Sequence, residues 1–201
     1  MSSLLRNLVS PIAERTVSCD RAYLRAPQLR DWEAWAALRA ESHDFLVPWE
    51  PTWPHDALTQ AAFRRRLRRY EQDSRDNSGY AFYIFRRDDD TLLGGVTLSN
   101  VRRGVTQSCS LGYWIGEQHA RRGFMRNALS GLVPFIFDEM GLHRIEAACI
   151  PTNEASRNLL QTIGFTQEGY ARRYLCINGV WQDHLLFAIL VSDVNPSETT
   201  A

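Results

Sequence analysis

The sequence predicts an α+β fold, close to the α/β class, in which helices pack on a mixed sheet. Two segments carry apolar residues at helical spacing, residues 31–42 and 57–71. Three alternating segments follow, residues 80–86, 91–101 and 108–115, and the short polar stretches between them indicate an antiparallel meander. Near the end, Asn178-Gly179 separates two alternating runs, which is the strongest local signal for a β-hairpin.

Local signals predict the elements before the meander. Residues 21–26 alternate and predict a first strand. Asp31 stands where it can cap the helix that begins beside it. Residues 45–54 are so rich in Pro and Trp that we expect no regular structure there.

The second half alternates between helices and strands. Apolar residues from Leu129 to Met140 step by three and one, which predicts an amphipathic helix. Pro134 predicts a bend in it, because an interior proline removes a backbone hydrogen bond. Another helix has cap residues at Thr152 and Asn153 and a glycine stop at Gly164. The remaining predicted strands cover residues 143–150, 165–170, 172–177 and 180–190.

Composition favours one domain with no overall electrostatic preference. The chain has 201 residues, with 23 Lys and Arg against 23 Asp and Glu, so net charge indicates neither nucleic-acid nor membrane binding. No apolar run approaches the ~20 residues that cross a bilayer. Residues 1–15 lack the continuous apolar stretch of a signal peptide. We expect an N-terminal extension over residues 1–18, a single domain over 19–191 and a flexible tail over 192–201.

Several chemistries lack their signatures. The four cysteines are widely spaced, which is typical of a cytoplasmic protein with free thiols. Zinc, P-loop, dinucleotide and nucleophile-elbow motifs are missing from the sequence, so we expect no metal. The segment from Arg64 to Arg69 carries five arginines in six residues. It is either a solvated helix face or a surface that docks onto RNA or the ribosome.

The stretch "LGYWIGEQHARRGFMRNAL" joins a strand, a basic loop and a helix. A helix N-terminus offers unpaired N–H donors and the positive end of a dipole. Gly123 permits close approach of a phosphate, and the flanking arginines add positive charge. The stretch therefore fits a diphosphate-bearing cofactor, or else it is a basic cluster ahead of a core helix.

The same stretch resembles motif A of the GNAT superfamily of acetyl-CoA-dependent N-acetyltransferases, Q/R-x-x-G-x-G/A. Gly123 matches the central glycine, whereas Ala120 stands where Gln or Arg is usual. Met125 replaces the small final residue, but Met is usual there in the RimJ/RimL-like branch, which acetylates ribosomal-protein N-termini. Downstream, "PTNEASRNLLQTIGFTQEGY" resembles the family's N-x-x-S-x-x-L-x-x-x-G-F-x-x-E-G. The resemblance spans roughly residues 20–190 and implies a mostly antiparallel sheet of about 6–7 strands flanked by helices.

The resemblance also implies how acetyl-CoA is bound as co-substrate. Asn153 would hold the pantetheine and Ser156 would protonate the departing thiolate, since both lie on one face of a helix. Without the resemblance, Asn153 is only an N-cap and Ser156 only a polar helix residue. The strand residues expected beside the pantetheine and the thioester oxygen are Tyr113, Trp114 and Ile115. The residues whose backbone amides would hold the pyrophosphate are Arg121, Arg122, Gly123, Phe124, Met125 and Arg126.

No residue stands out as a general base. Glu50, between two prolines, is the first candidate for a catalytic carboxylate or for binding the acceptor ammonium, and otherwise is a loop residue. Glu168 is the second candidate. Cys149 is either a core thiol or the site of a mixed disulfide with CoA.

Three functions stay open. The acceptor is a protein N-terminus, such as that of a small-subunit ribosomal protein, or a small-molecule amine or antibiotic. Alternatively the chain is a ribosome- or RNA-associated factor with little catalysis. The sequence leaves open whether the protein is a monomer or a homodimer, and substrate specificity is expected in loops around residues 43–56 and 170–182.

Overall fold

A computed structural model of the chain describes residues 12–194, in which one eight-stranded sheet is flanked by six α-helices. The strands are β1 (Val17–Ser18), β2 (Ala22–Arg25), β3 (Tyr80–Arg86), β4 (Leu92–Arg102), β5 (Ser108–Ile115), β6 (Arg144–Cys149), β7 (Thr166–Ile177) and β8 (Val180–Leu190). The helices are α1 (Trp32–Glu41), α2 (His43–Leu46), α3 (Gln60–Arg75), α4 (Phe124–Asp138), α5 (Glu154–Ile163) and α6 (Val191–Val194). The predicted fold class is confirmed.

The order of strands across the sheet is β1-β2-β3-β4-β5-β6-β8-β7. The predicted meander is confirmed, because β3, β4 and β5 pair antiparallel in sequence order. Among the strands within residues 12–194, only β5 and β6 run parallel, and their pairing covers Ser108–Ser110 against Arg144–Glu146. Beyond these residues the two strands no longer pair with each other. Residues 111–115 of β5 therefore stay hydrogen-bonded to β4 on one side and leave the other side free.

Both faces of the sheet are covered. The larger core lies beneath α4 and includes Leu129, Leu132 and Ile136, each fully buried. The smaller core, on the face of α1 and α3, is built around Trp35 and Phe63. Because helices cover both faces, β3 is buried along nearly its whole length instead of alternating with exposed residues.

Cap signals placed the helix α5 well. Asn153 caps α5 by accepting a hydrogen bond from the Ser156 amide, and α5 ends at Gly164 in the left-handed region, φ 108°. The helix α4 continues through Pro134. Thr59, not an earlier residue, caps α3 through the Ala62 amide, so this helix begins and ends later than predicted.

Four further sequence predictions need correction. The sheet has eight strands instead of about 6–7, since the short β1 pairs with β2. Residues 45–54 are not wholly irregular, because they include the end of α2 and a 3-10 turn, Val47–Trp49. Pro48 fits that turn since the first residues of a helix need no amide donor. Asp31 does not cap α1; its carboxylate accepts from the Gln28 amide and closes the preceding 3-10 turn.

The last correction concerns the predicted strands 165–170 and 172–177, which form the single strand β7. Two register shifts interrupt its pairing with β8, and Arg173 has a left-handed backbone, φ 48°. Because of this irregularity, the sequence alone indicates two strands with a break between them.

Residues 1–11 and 195–201 lie outside the described range, and with them most of the predicted N-terminal extension and of the predicted tail. Within residues 12–194, no helix is long and apolar enough to cross a membrane.

Candidate active site

The parting of β5 and β6 opens a gap in the sheet, and Tyr113 and Ser156 meet beside it. The Tyr113 and Ser156 hydroxyl oxygens are 2.7 Å apart, although the residues are 43 positions apart in the chain. Burial raises the pKa of Tyr113, so its phenol keeps its proton at neutral pH. A tyrosine that donates to Ser156 leaves the serine's own proton free for another acceptor.

Asn153 and Cys149 border the same serine. The Asn153 side-chain oxygen accepts from the Ser156 amide at 3.0 Å, which fixes the first turn of α5. Cys149 is 5% exposed and belongs to the larger core. Burial raises the pKa of its thiol, against a hydrogen bond with Ser156 that lowers it. The thiol is therefore protonated at neutral pH and lies beside Ser156.

The loop before α4 has the backbone of an anion site. Arg121 and Gly123 both adopt left-handed conformations, with φ values of 58° and 79°. A left-handed residue followed by a helical one, as at Gly123 and Phe124, turns successive N–H groups into one concavity, a geometry that binds anions. Gly123 is the N-cap of α4 and provides no capping side chain, so the first amides of the helix stay available to a ligand.

The side chains of this loop divide into two groups. Phe124 and Met125 are buried in the larger core and position the helix start. Arg121, Arg122 and Arg126 are exposed. The loop therefore presents backbone donors surrounded by exposed positive charge, an arrangement that suits a phosphate.

On the opposite face of the sheet, Glu50 is held by Arg39 and Trp53. The guanidinium of Arg39 forms a two-pronged ion pair with the Glu50 carboxylate, and the Trp53 indole donates to it at 2.8 Å. Arg39 is 7% exposed and lies over the ring of Trp114, 4.9 Å from its centroid. The Glu50 carbonyl accepts from the Asn178 amide, which joins this loop to the β7–β8 hairpin.

Sequence reasoning missed Arg39. One signal could have found it: Arg39 stands four residues after Trp35, and i and i+4 share one face of a helix. A charged residue on the core face of α1 requires a partner, because burying an unpaired charge is costly.

The second base candidate lies elsewhere. Glu168 pairs with Arg144 at the start of β6, whereas Cys149 and the open gap are at the end of that strand. The hydrogen bond from Arg144 lowers the pKa of Glu168. The structure thus separates Glu168 from Ser156.

The arginines of α3 are not equivalent. Arg65 pairs with Asp56, and Arg69 pairs with Asp73. Arg66 lies over the Trp35 ring, 5.2 Å from its centroid. Among the five arginines between Arg64 and Arg69, Arg64 and Arg68 are exposed and have neither an ion pair nor a ring contact within residues 12–194. Over the same range, His, Cys, Asp and Glu form no group of three that could hold a metal ion.

The model of the acetyltransferase (GNAT) domain matches residues 21–166. The chain belongs to the GNAT acetyltransferase family. This GNAT chain is 36% identical over 171 residues to a Bacillus subtilis protein named probable N-acetyltransferase YjcK, covering 85% of this chain and 94% of the relative. It is 34% identical over 187 residues to the Escherichia coli [ribosomal protein uS5]-alanine N-acetyltransferase, covering 93% and 96%.

Among solved structures, this GNAT chain is similar to Mycobacterium smegmatis RimJ in complex with a CoA disulfide. The two superpose with a TM-score of 0.85 at 31% identity, over 90% of each chain. Acetyl-CoA is the acetyl donor of GNAT acetyltransferases. The concave backbone before α4 and the free side of β5 are the features here that suit such a donor.

Proposed function

We propose that the protein transfers an acetyl group from acetyl-CoA to the α-amino group at the N-terminus of a ribosomal protein, by direct transfer in a ternary complex. The observation that carries the activity is the gap between β5 and β6, with the Tyr113–Ser156 pair beside it. The acceptor follows from the Escherichia coli relative, which matches 93% of this chain.

The donor fits along the gap. The backbone amides of residues 121–126 receive the pyrophosphate, supported by the helix dipole. The free side of β5 at residues 113–115 pairs with the pantetheine amides and directs an N–H group at the thioester oxygen. The Asn153 side-chain oxygen is used by the α5 cap, so its NH2 group is the part left for the pantetheine.

In the transfer step, the neutral amine attacks the thioester carbonyl carbon. The C–N bond forms, the C–S bond breaks and its electron pair leaves with sulfur. Ser156 gives its proton to this sulfur, and Tyr113 holds Ser156 in the donating direction. The proton released by the amine replaces the one that Ser156 gave, so the net proton transfer is from the amine to the CoA thiol.

An α-amine needs little help from a base. With a pKa of about 7.7–8.0 it is roughly 15% neutral at pH 7, whereas a lysine with a pKa of about 10.4 is only about 0.04% neutral. Glu50 is assigned to binding the acceptor ammonium. Its ion pair with Arg39 offsets its charge and fixes its position, which suits binding better than proton removal.

Docking to the ribosome is assigned to Arg64 and Arg68. They lie one helical turn apart on the exposed side of α3, and neighbouring acids already neutralise Arg65 and Arg69. Two free arginines form only a small positive patch. Contact with the ribosome at this patch therefore adds to the binding of a substrate whose N-terminus lies in the active site.

Thiol release from acetyl-CoA tests the proposal. The panel contains an alanine-initiated ribosomal-protein peptide, the same peptide with a blocked α-amine and an internal lysine, and a set of small amines. We expect release of CoA only with the free α-amine. Release with small amines but with no peptide would overturn the protein N-terminus as the acceptor.

A further inference from the structure

Arginines from three separate segments meet at the first turn of α4. Arg21 precedes β2, Arg86 ends β3 and Arg122 lies in the loop before the helix. The Arg21 guanidinium donates to the Arg122 carbonyl at 3.0 Å. Arg21 and Arg86 also lie over the ring of Phe124, 4.5 and 5.6 Å from its centroid.

This arrangement concentrates positive charge where a helix already has the positive end of its dipole. Cations are unfavourable at a helix N-terminus, and acids are favourable there. The first turn of α4, residues 124–127, contains no acid, whereas α5 begins with Glu154. The carboxylate paired with this group is Asp89, which accepts from Arg86 at 3.1 Å. The charges are thus incompletely balanced by the described residues.

An independent observation points to a ligand at the same place. His119 is 5% exposed, and neither of its ring nitrogens has a hydrogen-bond partner within residues 12–194. The Nε of Arg86 is also buried and unpartnered over that range. Nearly all buried polar groups in native proteins are paired, so three such nitrogens at one site require an explanation.

The electrostatic surroundings of His119 agree with this. Burial lowers the pKa of His119, and the charges of Arg86 and Arg122 lower it further, whereas Asp89 and Glu41 raise it. An anion placed among these groups would relieve the repulsion and accept from the unpartnered nitrogens.

We propose that Arg21, Arg86 and His119 form a binding site for a phosphate group of acetyl-CoA, in addition to the backbone concavity of residues 121–126. The inference rests on acetyl-CoA being the donor, as in the proposed function. The phosphate is the 3′-phosphate monoester or part of the pyrophosphate, and both accept hydrogen bonds from guanidinium and imidazole donors. Arg21 and Arg86 supply charge, while His119 supplies a directed N–H.

Calorimetric titration with CoA and with 3′-dephospho-CoA shows whether the site binds the 3′-phosphate or the pyrophosphate. The variants are Arg86→Gln, Arg21→Gln and His119→Gln, with Arg102→Gln as control at the opposite end of the sheet, where β4 ends. We expect Arg86→Gln to weaken CoA binding about tenfold, the loss of a charge-assisted hydrogen bond. If dephospho-CoA binding is unchanged, the contact is with the 3′-phosphate; if both ligands lose equally, it is with the pyrophosphate.

Wild-type affinity for both ligands in folded Arg86→Gln and Arg21→Gln would overturn the proposal. Thermal unfolding establishes that each variant is folded. If His119→Gln does not fold, the two arginine variants still decide the test. The titration needs no acceptor. A protein that binds CoA in this way but releases no thiol with any amine would contradict the proposed function and leave the phosphate site standing.

Discussion

The Ser156 hydroxyl depends on its neighbour for its direction. A free serine hydroxyl rotates and donates to any nearby acceptor. In the proposed transfer step Tyr113 donates to Ser156, 2.7 Å away, which occupies one lone pair of the serine and directs the serine proton elsewhere. The pair therefore acts as a unit.

Removing either hydroxyl should lower turnover more than donor affinity. We expect Ser156→Ala to lower kcat about 100-fold and Tyr113→Phe about tenfold, with the KM for acetyl-CoA nearly unchanged. The double variant should be no slower than Ser156→Ala, because Tyr113 acts through Ser156. Tyr80→Phe is the control, since this buried tyrosine bonds to Asn77 away from the gap. Multiplicative losses in the double variant would refute the coupling.

Substitution of Glu50 tests the acceptor side. Glu50→Gln removes the negative charge but keeps the size, so we expect the KM for the acceptor peptide to rise about tenfold while the KM for acetyl-CoA is unchanged. The loss of the Arg39 ion pair should also lower the unfolding free energy by about 1–3 kcal/mol. The exposed Asp44 offers a control, Asp44→Asn. An unchanged peptide KM would remove Glu50 from the acceptor site.

At the scale of elements, two residues with a left-handed backbone, Arg121 and Gly123, lie in the loop to which the proposed function assigns the pyrophosphate. Gly123→Ala places a side chain on a left-handed residue, φ 79°, which costs about 1–2 kcal/mol of stability. We also expect weaker CoA binding, because relaxing that strain moves the amides of the concavity. Gly104→Ala is a matched control: its φ is 70°, and its new methyl group would contact nothing. Equal effects of both variants on CoA affinity, measured by calorimetry, would refute the role of this backbone.

The helix α3 allows a second test at this scale. Arg64→Glu combined with Arg68→Glu should reduce co-sedimentation with small ribosomal subunits, most strongly at low salt, since contacts to phosphate weaken as salt rises. Thiol release with a short peptide should be unchanged. Arg30→Glu, on the exposed turn before α1, provides the control. Undiminished co-sedimentation of the double variant would exclude this face as the docking surface.

For the whole molecule, acid stability depends in part on Arg144, which ties β6 to the outer strand β7. Its hydrogen bond lowers the pKa of Glu168 below the ordinary value of 4.5. The folded protein therefore binds fewer protons at this site than the unfolded chain. The stabilisation is complete above about pH 4.5 and is lost as pH falls through the folded pKa.

Glu168→Gln should therefore lower the melting temperature at pH 7 by a small amount, since the pair is partly exposed. The difference from the wild-type protein should shrink as pH falls below 4.5. Thermal unfolding of both proteins between pH 3 and 7 measures this. A difference that stays constant over that range would contradict the linkage.

Local rules predicted much of the fold and some of the site. The sequence predicts the start of α5 at Asn153 and its end at Gly164 correctly, because capping depends on a few adjacent residues. The strand β7 was divided in two because its irregular pairing with β8 is a property of two strands, not of one. Arg39 was missed since its partner Glu50 lies beyond the end of its helix.

By itself, the sequence determined most of the strands and helices in their order, the glycine at the start of α4 and the placement of Asn153 and Ser156 at the start of one helix. These features depend on backbone preferences and on spacing along the chain. Only the tertiary structure decided that β5 and β6 part after three paired residues, that Tyr113 reaches Ser156, and that Arg21 and Arg86 meet beside α4. Such contacts join residues far apart in the chain, so they depend on strand register and helix packing, which no single segment specifies.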